Sequence, residues 1–416
     1  MCPINLTTVT SRPLHAVQFR AAAGERMLAA LAAALDGSGP AILPLDPALP
    51  EPALTRALAA FAPAVLHTAE GTRRVDIPAA RTAAAGRAIA DDTAVVVATS
   101  GSTGQPKAVE LSAAALSASA AASLRRIGAS PAQRWLCCLP TFHIAGIGVL
   151  VRSLVAGSDP VIADSVTPES LADGGCAHVS LVPTQLRRLL AAGASPVTTV
   201  LLGGAAPGAA LLAEARAAGW RVITTYGSSE TSGGCVYDGV PLDDVQVRLT
   251  DERIEIAGPT LFSGYLGQPE LTAAARAGGW FRTSDLGSWQ PDGRLRVRGR
   301  ADDVINTGGE KVVPAEVEAV LGTAPGVADV VVVGLPDPEW GEAVTAVVIA
   351  AEPGDPPGLG QLRSYVREAL SVYAAPKRVV VVPEFPLLPS GKPDRTALRE
   401  LARRQPLRTS RRAHGN

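Results

Sequence analysis

The chain has 416 residues, enough for about two to three compact units around a sizeable core. Its 38 basic and 39 acidic residues leave a net charge of −1, which points away from nucleic acid and from an anionic membrane surface as partners. The five cysteines (Cys2, Cys137, Cys138, Cys176, Cys235) are odd in number and lack C-x-x-C spacing, as expected of a reduced, cytoplasmic protein, and the five histidines (His15, His67, His143, His178, His414) form no zinc motif.

The longest apolar stretch, Leu136 to Leu150, is broken by Pro140, Thr141 and His143 and falls short of the ~20 residues of a membrane helix. No apolar run of signal-peptide type follows Arg12. In chain order, Ala21 to Leu35 predicts a helix stopped by Asp36-Gly37-Ser38-Gly39-Pro40, Ala41 to Leu45 a short strand, and residues 51 to 63 a second helix. This alternation is that of a parallel α/β sheet.

Next comes the β-branched run Ala94 to Ala98, ending in Thr99-Ser100-Gly101-Ser102-Thr103-Gly104-Gln105-Pro106-Lys107. Gly101 and Gly104 let the backbone approach an anion, the hydroxyls and N–H groups can donate to it, and Lys107 adds charge. The loop is not a Walker A motif, because Pro106 precedes the lysine and Ala108 follows it. An ordinary glycine- and serine-rich turn is the alternative for this loop taken alone.

Ser112 to Ile127 predicts a helix and Trp135 to Pro140 a buried strand, followed by Thr141-Phe142-His143-Ile144-Ala145-Gly146 and an apolar helix running to about Val155, with His143 at the junction. His143 either shapes a pocket or is a core-edge imidazole. Arg152, among Val149, Leu150, Val151 and Leu154, needs a counter-anion or a route to solvent. Strands at His178 to Pro183 and Thr198 to Ala205 follow, the second ending in Gly203-Gly204-Ala205, where a flat ring can lie against backbone or a tight turn can form. Arg221 to Thr225 leads into Tyr226-Gly227-Ser228-Ser229-Glu230-Thr231, and a carboxylate between hydroxyls suits magnesium bridging phosphates.

From about 240 the pattern shifts to short alternating strands, a small antiparallel sheet or barrel, with Asp285 in a turn as a ribose-hydroxyl acceptor or a merely solvated residue. Beyond Gly299-Arg300-Ala301-Asp302-Asp303, the last 115 or so residues predict a separate α+β unit, with helices at Pro314 to Gly322 and Gly360 to Ser371 and strands at Asp329 to Val333 and Ala343 to Ala350. Lys392 sits on a turn near its end, and a basic tail begins at about Arg403.

The order of the Ser/Thr/Gly loop with Pro-Lys, Tyr226-Gly-x-x-Glu230, Thr283-x-Asp285, Gly299-Arg-x-Asp-Asp303, Gly308-Gly-Glu-Lys311 and Gly391-Lys392 resembles the adenylate-forming acyl-CoA synthetase superfamily over nearly the whole chain. That resemblance implies an α/β fold with a large N-terminal domain of parallel and mixed sheets (1–299, including a β subdomain at about 240–299). It also implies a small mobile α+β C-terminal domain (300–416) hinged near 300–303. It implies ATP, Mg²⁺ and coenzyme A, with acyl-AMP formed first and its acyl group then passed to the thiol. By motif, Thr99, Ser100, Gly101, Ser102, Thr103, Gly104 and Lys107 hold the β- and γ-phosphates, and Ser229 and Glu230 serve phosphate and Mg²⁺. Gly203, Gly204 and Tyr226 flank adenine, Ala205, Thr225 and Gly227 belong to the same ATP site, and Asp285 and Arg300 take the ribose. Lys392 bridges carboxylate and α-phosphate. Rotation about Asp302 replaces it with the Gly308-Gly309-Glu310-Lys311 loop.

Within the superfamily, Leu139-Pro-Thr-Phe-His-Ile-Ala-Gly146 with Arg152, Leu181-Val-Pro-Thr-Gln-Leu186 and Gly234-Cys-Val-Tyr-Asp-Gly-Val-Pro241 resemble the o-succinylbenzoate-CoA ligase family of menaquinone biosynthesis. This implies a dicarboxylate substrate lined by His143, Gly227 and Ser228, with Arg152 on the carboxylate that is not activated. Small molecules are the expected partners, and a homodimer is left open. Departures are Ala108, Ser229 and Ser284, the last adding a side chain beside the ribose position. Another carboxylate, or a nucleotide-binding homologue without turnover, is the rival expectation.

Overall fold

The computed structural model describes residues 11–76, 88–99, 107–388 and 392–405. These divide into two compact units. The first comprises Met1–Gly204, Ala215–Arg248 and Glu255–Arg282, and the second Ala205–Glu214, Leu249–Ile254 and Thr283–Asn416.

The first unit contains an eight-stranded mixed sheet. Its centre is parallel: Ser11–Gln18 lies between Ala41–Pro44 and Val65–Thr68, and Ala41–Pro44 pairs in turn with Thr93–Thr99. Ala94, Val95, Val96 and Val97 are all buried, as a strand covered on both faces requires. Thr93–Thr99 then pairs antiparallel with Lys107–Ser112, so Lys107 opens a strand instead of closing a loop.

A seven-stranded sheet follows. Arg134–Cys137, Cys176–Leu181, Thr199–Leu202 and Val222–Ser228 run parallel, and Gly233–Tyr237 and Val240–Pro241 fold back antiparallel at one edge. The strand expected over Trp135 to Pro140 stops at Cys137, short of Pro140, which has no N–H to give a ladder. Tyr226, Gly227 and Ser228 lie within a strand, because antiparallel pairing with Gly233–Tyr237 extends it past Thr225.

Helices Ala113–Ile127 and Ile144–Ala156 pack on one another. Ser112 caps the first, its Oγ accepting from Ala115 N at 3.1 Å, and glycines with positive φ end both, Gly128 at 71° and Gly157 at 66°.

The second unit is built on a five-stranded sheet ordered Glu310–Val312, Ile305–Thr307, Gly341–Ala350, Val327–Asp337, with Arg378–Val381 joining Gly341–Ala350 in parallel. Successive valines face opposite ways. Val330 and Val332 pack with Val317, Leu321, Leu362 and Val366, whereas Val331 and Val333 pack with Val380, Leu398 and Ala402. Helices Pro314–Leu321 and Leu359–Ala369 cover one face, and Arg395–Arg404 covers the other. Arg403 and Arg404 therefore close a helix, and the tail expected from Arg403 otherwise falls at 406–416, outside the described residues.

Candidate active site

In the first unit, the residues singled out by sequence collect at the carboxyl ends of the parallel strands, the edge where open α/β sheets bind ligands. Gly203 and Gly204 follow Thr199–Leu202, Gly204 with φ of 83°. A Cβ on Gly203 would lie 2.5 Å from Thr225 Oγ1, so any side chain there would have to displace that hydroxyl on the adjacent strand. Gly227 is tighter still, since a Cβ there would lie 2.0 Å from Gly233 O. Gly203, Thr225, Tyr226 and Gly227 are thus brought together by strand pairing.

Ser228 ends its strand, and its Oγ is buried with no hydrogen-bond partner among the described residues. Ser229, Glu230 and Thr231 form one 3-10 turn beyond it, fixed by Thr231 Oγ1, which accepts from Ser228 N at 2.8 Å and donates to Gly233 O at 2.7 Å.

Ser100, Gly101, Ser102, Thr103 and Gly104 lie outside the described residues, but both ends of their loop do not. Thr99 and Lys107 face one another across the strand pair, and Lys107 Nζ lies 5.6 Å above the Tyr265 ring. Tyr265 Oη donates to Glu230 Oε1 at 2.9 Å. Burial, with Glu230 beside it, pushes the Tyr265 phenol above its ordinary range, so it stays a donor. Lys107, Tyr265 and Glu230 therefore form one array. Nothing in the local pattern of Gly264–Tyr265 signals it; the signal is the antiparallel pairing of Tyr265 with Val109.

His143 sits at the N-cap of Ile144–Ala156, its ring tilted against Phe142 at 4.6 Å. Arg152 is two and a half turns further on, about 13 Å by helical rise, so the two are not brought into contact directly. The Arg152 guanidinium is buried. Nη2 donates to Ser180 Oγ at 2.9 Å, its plane lies 4.5 Å over the Trp135 ring, and Nε has no hydrogen-bond partner among the described residues. No carboxylate pairs with it among the described residues. Burial lowers its pKa, with Tyr237 and Cys137 opposing. Ser180 is the residue before the last of its strand, which sets Arg152 just below the edge carrying Gly203 and Ser228. Ser180 and Trp135 are partners that sequence did not expose, because they become neighbours of Arg152 only through the helix-on-sheet packing.

In the second unit, Asp285 lies in strand Trp280–Trp289, not in a turn, directly opposite Arg300 in Leu295–Arg300. The Asp285 backbone N–H donates to Thr283 Oγ1 at 3.0 Å. Arg300 also reaches Asp302 at 3.4 Å. Lys392 is exposed, yet the protein atoms crowded around its ammonium lower its pKa first by desolvation and then through Arg300, with Asp285 opposing, which makes these three groups electrostatic neighbours. Ala205 also belongs to this unit.

Gly308 and Gly309, with φ of 61° and 83°, make the tight turn between Ile305–Thr307 and Glu310–Val312. A Cβ on Gly308 would strike the Trp340 ring at 2.9 Å, and Gly308 N donates to Trp340 O at 2.8 Å. Lys311 lies opposite Asn306 and is exposed, and Asp302 occupies the short 3-10 turn Ala301–Asp303.

Among the described residues no group of three or more His, Cys, Asp or Glu is arranged to hold a metal by itself. Glu230 nevertheless fits Mg²⁺, a cation that takes one or two carboxylates and completes its shell with water and phosphate oxygens. Tyr265 occupies only Oε1, leaving Oε2 without a protein partner among the described residues. No described helix is long and apolar enough to cross a membrane.

The AMP-binding enzyme family matches residues 21–266, and the C-terminal domain of AMP-binding enzymes matches residues 316–392. The chain belongs to the AMP-binding enzyme family, with its large α/β domain and small C-terminal domain. Within it, the chain groups by sequence with 2-succinylbenzoate–CoA ligases. A probable 2-succinylbenzoate–CoA ligase of Mycobacterium tuberculosis is 44% identical over 330 residues, covering 75% of this chain and 85% of the relative. The 2-succinylbenzoate–CoA ligase of Listeria monocytogenes is 32% identical over 328 residues, covering 74% and 70%.

Among solved structures, the Bacillus subtilis o-succinylbenzoate CoA synthetase in complex with its acyl-adenylate intermediate matches with a TM-score of 0.79 at 26% identity, covering 93% of this chain and 88% of that one. The amide bond synthetase McbA of Marinactinospora thermotolerans matches with a TM-score of 0.81 at 26% identity, covering 95% and 90%. The fold is shared by enzymes with different acceptors, so the acceptor and acid must be argued from the site.

Proposed function

We propose that this protein is an AMP-forming acid–thiol ligase that converts 2-succinylbenzoate to 2-succinylbenzoyl-CoA for menaquinone biosynthesis. The observation that carries the choice of acid is Arg152, a buried guanidinium with no carboxylate partner among the described residues, next to the ligand edge of the sheet. A charge left in that state is costly unless a ligand completes it. A dicarboxylate can do so with one group while the other is activated, and the relatives that share this sequence carry the corresponding name.

In the first half-reaction a carboxylate oxygen of the acid attacks the α-phosphorus of ATP, and the bond to the β-phosphate breaks to release pyrophosphate. Two anions must meet, so the protein's task is placement and positive charge. Lys107 and the loop from Thr99 to Gly104 hold the leaving phosphates. Glu230, oriented by Tyr265, would hold Mg²⁺, which would supply positive charge to the phosphates. Gly203, Gly204, Ala205, Thr225, Tyr226 and Gly227 form the adenine side. Asp285 accepts from the ribose hydroxyls, Arg300 lies beside it, and Lys392 spans the carboxylate and α-phosphate. Ser229 supports the phosphates, while His143, Ser228 and Arg152 line the acid.

In the second half-reaction the coenzyme A sulfur attacks the acyl carbon, AMP leaves with the former carboxylate oxygen, and the thiol proton is lost. The small C-terminal domain pivots at Asp302, and the turn Gly308 to Lys311, stiffened by Trp340, takes the place of Lys392.

The test is coenzyme A thioester formation with 2-succinylbenzoate against benzoate, 2-hydroxybenzoate and a medium-chain fatty acid. The proposal expects 2-succinylbenzoate to be preferred. Equal or better turnover of a monocarboxylate overturns the choice of acid, and absence of ATP–pyrophosphate exchange with every acid overturns the activity.

A further inference from the structure

Lys392 stands on an arm of chain whose fastening is visible. Leu388 N donates to Lys392 O at 2.8 Å, Leu387 and Pro393 form a β-bridge, and Asp394 N donates to Pro386 O at 2.8 Å. The two arms of this hairpin are therefore zipped up to Asp394. Asp394 then caps the final helix, accepting from Thr396 N and Ala397 N at 3.0 Å each.

The next residue is clamped. Arg395 Nη2 donates to Glu318 Oε1 at 2.7 Å and Oε2 at 3.0 Å, and Nη1 donates to Val332 O at 2.7 Å. Glu318 Oε1 also accepts from Val332 N at 2.7 Å. On its other side Arg395 Nε lies 3.7 Å from Asp303, which Arg399 also approaches at 3.6 Å. One guanidinium thus ties the foot of the Lys392 arm to helix Pro314–Leu321, to strand Val327–Asp337 and to the turn Ala301–Asp303. Hydrogen bonds from two guanidinium nitrogens to a partly buried carboxylate and a backbone carbonyl, with a second carboxylate at ion-pair distance, fix direction as well as distance.

Apolar packing docks the helix in addition to this clamp. Leu398 and Ala402 are fully buried among Val331, Val333, Val347 and Val380, enough to hold Arg395–Arg404 on the sheet. What the clamp adds is the position of Pro393 and Asp394, the two residues between that helix and Lys392. We infer that Arg395 is a positioning residue for adenylation: its fork on Glu318 and Val332 holds the arm from which the Lys392 ammonium reaches the reacting groups. This rests on the role given to Lys392 above.

The test compares the unmodified enzyme with Arg395→Gln, Arg395→Lys, Lys392→Ala and the double variant Arg395→Gln/Lys392→Ala. ATP–pyrophosphate exchange with 2-succinylbenzoate is measured beside thioester formation from supplied acyl-AMP and coenzyme A. Arg395→Gln is expected to lower the kcat of exchange about 10- to 100-fold, the scale of a misplacement near 1 Å, with KM for ATP and the acyl-AMP reaction changed less than about threefold. Arg395→Lys, which keeps the charge but not the fork, should recover part of the loss. On the Lys392→Ala background, Arg395→Gln should lower exchange no further, because the group it positions is gone.

An undiminished exchange rate, an equal fall in both half-reactions, or losses that multiply in the double variant overturns the inference. If Lys392→Ala itself retains full exchange, the role of Lys392 fails instead. Should Arg395→Gln not fold, Glu318→Gln removes the same charged pairing with the shape kept, and the same outcomes decide.

Discussion

The Arg152 guanidinium lies 4.5 Å over the Trp135 ring and donates to Ser180 Oγ at 2.9 Å, a buried cation held by a π face and a hydroxyl. Neither partner neutralises it, so its charge remains available to a ligand. Replacing it with a side chain of similar volume and no charge should therefore separate binding from folding.

Arg152→Met should raise KM for 2-succinylbenzoate about 10- to 100-fold, the worth of a hydrogen bond between charged groups. Turnover of benzoate should be unchanged. The melting temperature should hold or rise, since an unmatched buried charge is replaced by apolar contact. Steady-state kinetics with both acids and a thermal melt check this, and an equal loss with benzoate would remove Arg152 from acid selection.

Glu230→Gln should raise the Mg²⁺ concentration needed for half-maximal exchange, because the amide keeps the Tyr265 hydrogen bond but loses the charge that attracts the cation. Tyr265→Phe should act more weakly, by up to about tenfold, as the loss of one orienting hydrogen bond. A Mg²⁺ titration of each variant distinguishes charge from orientation.

Adenylation should fall along an alkaline limb that lies below the ordinary lysine value of 10.5. Lys392 must carry its proton to face two anions, and its pKa is lowered by desolvation among neighbouring protein atoms and by Arg300, so raising the pH removes that proton early. In Lys392→Arg the limb should move to higher pH, because guanidinium does not titrate in this range. A pH profile of kcat/KM for ATP in exchange checks the direction.

Stability should fall on the acid side through His178. Burial first, and then Arg152 and Arg221, lower its pKa from 6.5 to about 4, so the unfolded chain binds a proton that the folded chain refuses. The stabilisation is complete above 6.5 and is lost as the pH falls towards 4, by up to about 3 kcal/mol. Urea unfolding of the parent and of His178→Gln at pH 7 and pH 4.5 should show a smaller acid loss in the variant.

Gly227→Ala should abolish exchange and lower the melting temperature, because a Cβ would sit 2.0 Å from the Gly233 carbonyl in the adjoining strand and backbone cannot step aside as a side-chain tip can. Gly208→Ala, which meets nothing within 4 Å, is the control and should melt as the parent does.

The alternation of apolar strands and helices, the glycine stop at Asp36 to Pro40 and the linear motifs are local, and they are legible in the sequence. Local patterns stopped short at Tyr226 to Ser228, drawn into a strand by pairing with Gly233–Tyr237, and at Asp285, drawn into one by pairing with Leu295–Arg300. Lys392 and Lys107 were recognisable from their flanking residues; Tyr265, Ser180 and Arg395 were not. Their partners Glu230, Arg152 and Glu318 lie 35, 28 and 77 residues away.

The sequence by itself determined the composition of each strand and helix, the order of the nucleotide-binding segments and the kind of chemistry they serve, because dihedral preference, hydrophobic period and glycine placement act over a few residues. Only the tertiary structure decided that Arg152 is buried without a carboxylate partner among the described residues, that Tyr265 aims Glu230, and that Arg395 anchors the arm of Lys392. Those facts depend on which distant segments pair and pack, and burial alone converts an arginine from a surface charge into one that calls for an acid.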